Sequence, residues 1–448
     1  MTQSAAQKRI WGWWWFDWAS QPYNTLLITF IFGPYVVGVV GDGSRAQAIW
    51  GYGIGFAGVL LAVLAPLLGA VADKSGRRMV FIWFFSLLYV IGAWGIWYSA
   101  PADFNIWFVM MMFCIGLIGM EFATIFTNAM LPDLAPREEL GKVSGSGWAW
   151  GYVGGLVSLI LMLTLLAEGS TGRTLIGIEP ILGLDPAARE GTRSVGPLTA
   201  IWYIVFMIPF FWWVREPKKP GALPIRTAMA GAWPELKETL RGLPRNRSLF
   251  AFLGSSMFYR DALNGVYTFG GIYAAGVLGW SVVQIGVFGI LAATTGAVFA
   301  WLGGKADSRY GPKPVILLNV VVLTLVALAI VFVSRTSVFG IAVGPESGLP
   351  DIAFYVLGAI IGAGGGSLQS ASRTMMVRQG DTDKMTEGFG LYALSGKATA
   401  FLAPLSIAVA TDLTGSQQWG ILPVAGLFLI GLVLLLFVNP EGSRRLAA

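Results

Sequence analysis

Twelve stretches of about 20 mostly apolar residues recur along this 448-residue chain, and each is long enough to cross a bilayer as a helix. They run near 14–39, 49–72, 79–99, 106–130, 147–167 and 198–214, then near 249–275, 282–304, 314–334, 352–376, 388–411 and 419–438. Hydrocarbon offers no partner to a backbone N–H or C=O, so such segments are confined to helices that satisfy their own backbone. The composition agrees. The chain is 55% hydrophobic and 12% charged, about half the ~25% charge of soluble domains. A soluble protein could not hide so much apolar surface, and disorder is excluded on the same ground. The expected fold class is an all-α membrane protein of twelve transmembrane helices. The first stretch is not expected to be a cleaved signal peptide: its apolar part is too long, it carries Asp17, and no small-x-small site follows.

The chain has no His and one Cys, Cys114. A disulfide framework, the usual zinc sites and His-based catalysis are therefore excluded. No nucleophile–base constellation is present, so no enzyme is expected, and no cofactor or metal. Gly364-Gly-Gly366 lacks a following Lys-Ser/Thr and is not a phosphate loop, which argues against direct use of ATP. The net charge of +6 reads as topology rather than nucleic-acid binding. With both termini in the cytoplasm, 23 of the 30 Lys/Arg fall on the cytoplasmic side. Only Arg45, Arg173, Arg189, Arg193 and Arg335 fall opposite, and Arg260 and Lys397 lie inside helices. Trp11, Trp13, Trp14, Trp15 and Trp18 crowd the approach to the first span, as expected of an interfacial belt.

Residues 215–248 carry eight Lys/Arg, Pro217, Pro220 and Pro224, and an amphipathic piece near Trp233–Leu240. The expected organisation is a six-helix bundle over 1–215, a basic cytoplasmic linker over 216–247 that lies on the membrane surface, and a second six-helix bundle over 248–448. The halves resemble each other. Gly69-Ala-Val-Ala-Asp73-Lys-Ser-Gly76-Arg-Arg78 follows helix 2, and Gly303-Gly-Lys-Ala-Asp307-Ser-Arg309-Tyr-Gly311-Pro-Lys313 follows helix 8. Helices 1 and 7 share Asp-x5-Tyr, as Asp17 with Tyr23 and Asp261 with Tyr267. Internal repeats of this kind are a mark of secondary transporters. In the two loops, Gly69, Asp73, Gly76, Arg77, Arg78, Asp307 and Arg309 are expected to form a cytoplasmic clasp, with Asp133 after helix 4 as the candidate partner of Arg77. The plainer alternative is a turn with topology-setting charges. Gly147, Gly151 and Gly155, and likewise Gly358, Gly362 and Gly366, form smooth stripes for close helix packing or for a rocking surface.

Ionisable groups at membrane depth are costly unless they face a cavity or one another. They are Asp17, Glu121, Arg260, Asp261 and Lys397. Asp17, Gln21 and Asn24 form one stripe on helix 1; Glu121, Thr124 and Asn128 form another on helix 4. Asn264 shares the face of Arg260, Tyr392 precedes Lys397, and helix 10 carries Gln369, Ser370 and Arg373. Each charge is either functional or half of a structural ion pair. Lys397 is expected to meet a carboxylate, from substrate or from Asp261. Glu121 is the candidate proton carrier.

Phe16-Asp-Trp-Ala-Ser20-Gln21-Pro22-Tyr23 resembles the YDWANSAY opening of the vacuole-effluxer (autophagy-related amino-acid effluxer) family of the major facilitator superfamily. Leu131-Pro-Asp-Leu-Ala135 with Gly141–Gly155, Asp261-Ala-Leu-Asn264, and Tyr392–Phe401 resemble the family's later signatures, in order along nearly the whole chain. The resemblance implies a major facilitator fold whose helices 1, 4, 7 and 10 line a cavity, and small-solute transport, with amino-acid export in eukaryotic members. Ser20-Gln21-Pro22 departs from the family's pattern, where substrate choice can differ. The expected function is secondary active transport of a small polar organic solute, an amino acid being one candidate, by alternating access coupled to H⁺, with Na⁺ coupling open. Alternatives are a lipid flippase and a non-transporting membrane chaperone or receptor. The expected setting is a monomer in the lipid bilayer, the inner membrane if the source is bacterial.

Overall fold

The computed structural model describes residues 3–41, 43–169, 171–217, 219–280, 282–344 and 346–442. The chain is helical almost throughout. In order it forms α1 (Gln3–Pro22), α2 (Phe32–Val40), α3 (Gly43–Ser75), α4 (Arg78–Gly95), α5 (Ile106–Asn128), α6 (Leu140–Leu161), α7 (Glu190–Arg193), α8 (Val195–Trp213) and α9 (Ile225–Gly242). It continues with α10 (Arg247–Leu278), α11 (Val282–Tyr310), α12 (Pro312–Val331), a small hairpin of β1 (Ser337–Val338) and β2 (Ile341–Ala342), α13 (Leu349–Gln379), α14 (Met385–Ala398), α15 (Leu402–Thr414), α16 (Gln417–Gly420) and α17 (Leu422–Leu436). Pairing in the hairpin is antiparallel, with Ser337 opposite Ala342.

Internal contacts group the chain into two units. One holds Met1–Met130 and Trp150–Ala230; the other holds Leu131–Ala149 and Gly231–Ala448. Helix α6 passes from the second to the first at Ala149.

Eleven helices are long and apolar enough to span a bilayer, on length and composition among the described residues. The twelfth span expected from the sequence, near 249–275, is α10. Its 32 residues reach about 48 Å at 1.5 Å per residue, but Arg260, Asp261 and Asn264 dilute its hydropathy. Polarity, not length, sets it apart. The surface is inverted relative to a soluble protein. On α3, Tyr52, Phe56, Val59 and Val63 form an exposed apolar stripe, and on α17 Leu429, Val433 and Leu436 are exposed as well. Water does not tolerate contiguous apolar faces of this extent; lipid does. The chain is an integral multi-pass membrane protein.

Small residues let the helices touch. In the first unit α4 packs on α5, where a Cβ at Gly92 would collide with the Gly116 backbone. In the second unit α11 packs on α13. The stripe Gly358, Gly362 and Gly366 faces Phe288, Ala292 and Gly296 of α11, with no room for a Cβ. This is close packing between neighbouring helices of one unit.

Candidate functional site

In the first unit both polar stripes are half-buried, set among mostly buried neighbours. On α5, Glu121, Thr124 and Asn128 are half-buried while every residue between them is buried. A helix returns to the same face after three, four and seven residues, so the three share one wall. On the first span, Asp17, Gln21 and Asn24 are likewise half-buried among buried Ala19, Ser20, Pro22 and Tyr23. The segment departs from α geometry here. After Pro22 the chain runs as a π-helix over Tyr23–Phe30, with Ile31 N–H donating to Leu26 O (3.0 Å). Such wide turns re-aim side chains and are common at functional positions. Asn24 Nδ2 reaches Met120 Sδ (3.7 Å), next to Glu121, which joins the two stripes. The glycine stripe of α6 backs them: a Cβ at Gly151 would sit 3.3 Å from Asp17 Cβ, and one at Gly155 would sit 2.9 Å from Gln21 Cγ.

In the second unit, Arg260 donates to Tyr392 O (2.8 Å) and lies 4.1 Å from the centre of the Tyr392 ring, a cation–π contact. Asn264 and Tyr267 are exposed on the same helix. Gln369 is half-buried on α13, where its amide donates to Gly365 O (3.4 Å). A separate cavity of about 510 Å³ is lined mainly by apolar groups, with Tyr273, Thr411, Asp412 and Gln417 as its polar members.

Two expectations change. Asp261 does not pair with Lys397. It is 1% exposed, and its Oδ2 accepts the N–H of Ala403 (2.8 Å). The reason is a break between α14 and α15, which leaves that N–H without a helical partner. Lys397 is half-buried in the last turn of α14. Arg373 does not lie on an open wall with Gln369. It is 3% exposed, donates to Ser144 Oγ (2.9 Å) and Ser144 O (2.7 Å), and lies 5.5 Å from the centre of the Trp148 ring. It belongs with the residues that hold 131–149 in the second unit.

Both repeated loops turn at a glycine of positive φ, Gly76 and Gly311. Gly76 takes φ +57°, a left-handed turn that favours glycine. The residue after it, Arg77, is exposed and makes no ion pair among the described residues. Arg78 makes the pair instead. Its Nε donates to Glu216 Oε1 (3.2 Å), its Nη1 donates to Ala129 O (2.6 Å), and the Arg78 and Met79 N–H groups both donate to the Glu216 carboxylate (2.8 and 3.1 Å). Glu216 thus caps the positive start of α4. Asp73, half-buried near the end of α3, offers its carbonyl to Lys219 Nζ (2.8 Å), and Gly69 is buried one turn earlier. Asp133 lies on a 3₁₀ turn, Leu131–Asp133, in the second unit.

In the second copy, Asp307 is 1% exposed and accepts the Thr374 hydroxyl. A Cβ at Gly141 would lie 2.8 Å from the Asp307 carboxyl carbon, and Ser308 Oγ accepts the Lys142 N–H (2.9 Å). Asp307 and Ser308 therefore sit over the start of α6. Arg309 is exposed, 5.3 Å from the centre of its neighbour Tyr310's ring. Glu441 pairs with Arg378 (3.0 Å) and Arg137 (3.2 Å).

Sequence reasoning missed Glu216, Glu441, Ser144 and Thr374. A signal existed for the two acids. Each follows the last span of its half beside a proline, as Arg215-Glu-Pro217 and Asn439-Pro-Glu441, so the six-helix period would have paired them. Nothing local marked Ser144 or Thr374.

Comparison with known proteins agrees with this architecture. Over 444 residues the chain is 26% identical to a Bacillus subtilis protein described as an uncharacterized MFS-type transporter, YxiO, covering 96% of this chain and 95% of that one. It is 25% identical to autophagy-related protein 22-2 of Emericella nidulans, over 68% of this chain and 52% of that longer protein. The fold is similar to that of FucP in the outward conformation (TM-score 0.69, 14% identity, 96% and 98% of the two chains). It is also similar to the proton:xylose symporter XylE (TM-score 0.67, 12% identity, 99% and 98%). The fold is that of major facilitator transporters. The sequence profile of the family described as vacuole effluxer Atg22-like matches residues 33–448; the chain belongs to that family.

Proposed function

We propose that this protein is a secondary transporter that moves a small polar organic solute across its membrane by alternating access, coupled to H⁺. The observation that carries the reading is the pair of half-buried polar stripes in the first unit. Asp17, Gln21 and Asn24 on one helix and Glu121, Thr124 and Asn128 on another are joined through Asn24 and Met120. Intramembrane acids persist only where a cavity or a partner offsets their cost. The second half adds Arg260, held over Tyr392 with Asn264 on its face, and Lys397. Cationic groups with hydroxyl and amide neighbours suit a solute that carries a carboxylate, and an amino acid fits that class. Glu121 is the coupling acid in this reading. Asp261 serves the second half.

In this reading the halves are 1–215 and 248–448, with the basic linker 216–247 and both termini in the cytoplasm. The proposed gate residues are Gly69, Asp73, Gly76, Arg77 and Arg78 in the first unit and Asp133, Asp307 and Arg309 in the second. Efflux is the direction the family description, vacuole effluxer, points to. Protein reconstituted into liposomes and screened with radiolabelled amino acids and other small carboxylates tests the proposal. Accumulation that follows an imposed pH gradient supports it. Solute exchange indifferent to pH gradients removes the proton, and no flux of any polar solute removes transport.

A further inference from the structure

Helices α14 and α15 are one membrane segment cut in two. The first ends at Ala398, the second begins at Leu402, and Thr399–Phe401 lies irregular between them. The cause is local. Pro404 has no N–H, and its ring excludes the Ala400 carbonyl from a helical position. A helix start leaves donors that its own ladder cannot satisfy. Here Leu402 N–H donates to Thr399 O (2.7 Å) and Leu405 N–H to Phe401 O (3.0 Å). Ala403 N–H instead crosses to α10 and donates to Asp261 Oδ2 (2.8 Å). Gly265, one turn beyond Asp261, admits the approach, since a Cβ there would lie 2.8 Å from Ala403 Cβ.

The second oxygen of the same carboxylate is the independent observation. Asp261 is 1% exposed, and its Oδ1 is buried without a hydrogen-bond partner. No ion pair reaches it among the described residues. The charged and titratable groups on the elements packed against α10 have other places. Arg260 turns away to Tyr392 on α14, and Arg373 on α13 goes to Ser144. Lys397 is the next-to-last residue of α14 and makes no ion pair with Asp261 among the described residues, whereas Glu387 sits near the start of α14 and Asp412 near the end of α15. On α13, Asp351 takes Trp280 and Arg335, Tyr355 donates to Gln284 O, and Arg378 takes Glu441. Lys305, Asp307 and Arg309 end α11, Lys313 begins α12, Arg245 precedes α10, and α16 and α17 carry no charged side chain. A buried carboxylate with one bare oxygen is poorly compensated as an anion. A proton added at Oδ1 removes the charge. It also turns a charge-assisted bond to Ala403 into a weaker neutral one.

We infer that Asp261 is a proton-binding hinge. Charged, it fastens the start of α15 to α10 through Ala403 N–H; protonated at Oδ1, it loosens that fastening and frees the joint between α14 and α15. The proton comes from solvent and returns to it, and only the O–H bond forms or breaks. The inference rests on the reading of this chain as a proton-coupled transporter and gives it a second acid beyond Glu121.

The test is amide hydrogen exchange of peptides covering 399–405 in the detergent-solubilised full chain, as a function of pH and corrected for intrinsic exchange. Protection of Ala403 should fall about tenfold as Asp261 protonates, the difference between a charged and a neutral acceptor. Asp261→Asn should hold the low-protection value at every pH. Infrared difference spectra of the wild type should show a protonated carboxyl band over the same pH range that shifts in Asp261→Glu, which keeps the test decisive if Asp261→Asn does not fold. Protection independent of pH in the wild type, or an unshifted band, overturns the hinge. A wild type that exchanges as described but accumulates no solute on a pH gradient overturns the transport reading and leaves the hinge standing.

Discussion

Replacing Arg373 by Met should open the contact that holds residues 131–149 against α13. The guanidinium makes two charge-assisted bonds to Ser144, at 2.9 and 2.7 Å, in a site where Ser144 is 0% and Arg373 3% exposed. Bonds from a charged donor are worth about 1.5–3 kcal/mol each, a gross of about 3–6 kcal/mol. Burying the guanidinium takes back about 1–3 kcal/mol of this, which leaves about 2–3 kcal/mol. Under alternating access a contact biases the two states only as far as it differs between them. If this one exists only when the cytoplasmic side is closed, its loss shifts the closed-to-open ratio by about 30- to 150-fold at 1.4 kcal/mol per decade. Methionine keeps an apolar stem against Trp148, so packing changes least. Ser144→Ala removes one of the two bonds and should give about half the effect in free energy. The assay is double electron–electron resonance between spin labels at Lys142 and Arg309, both exposed, in a Cys114→Ser background. Wild type should show a dominant short distance and Arg373→Met a dominant long one. Identical distance distributions would show that the bonds persist in both states, and the reasoning would be wrong.

Three further outcomes follow from the same geometry. Glu216→Ala should destabilise the start of α4 by about 1–3 kcal/mol, since its carboxylate accepts the Arg78 and Met79 N–H groups as well as Arg78 Nε. Glu216→Gln should cost less, and equal melting temperatures by tryptophan fluorescence for wild type and Glu216→Ala would contradict the cap. Glu121→Gln should abolish accumulation on a pH gradient while sparing solute counterflow, measured in proteoliposomes; equal loss of both would assign Glu121 to substrate or to structure. Lys397→Ala should fold but bind carboxylate solutes at least tenfold more weakly by calorimetry, and Asp261→Ala should not rescue it, because Asp261 caps Ala403 rather than pairing with the lysine. Wild-type affinity in Lys397→Ala, or rescue by the second change, would restore the ion-pair view.

Much of the architecture was legible in the chain because lipid enforces it. Hydrophobic runs of spanning length leave the backbone one solution. The polar stripes were legible for a related reason. Asp17, Gln21 and Asn24 recur at helical spacing, as do Glu121, Thr124 and Asn128, and the structure leaves both sets half-buried among mostly buried neighbours. The twelfth span was read correctly as a helix, although Arg260, Asp261 and Asn264 dilute its hydropathy.

Partner choice was decided elsewhere. Arg77 and Arg78 are adjacent and identical, yet only Arg78 meets Glu216, 138 residues away. The left-handed turn at Gly76 aims the two side chains differently, and no local rule states where Glu216 will stand. Asp261 and Lys397 are opposite charges on neighbouring helices and invited pairing. The break at Thr399–Phe401 instead created a backbone donor that claimed the carboxylate, and a buried N–H in a membrane accepts few other remedies. Arg373 looked like a cavity residue by its helix face, but the glycines at 141 and 145 seat the start of α6 on α11, which packs on α13, and Ser144 takes it there. By itself the sequence determined the helices, their order and the polar faces they carry, because those depend on solvent and period. The tertiary structure alone decided which charge meets which, because that depends on where breaks, caps and glycines let distant segments touch.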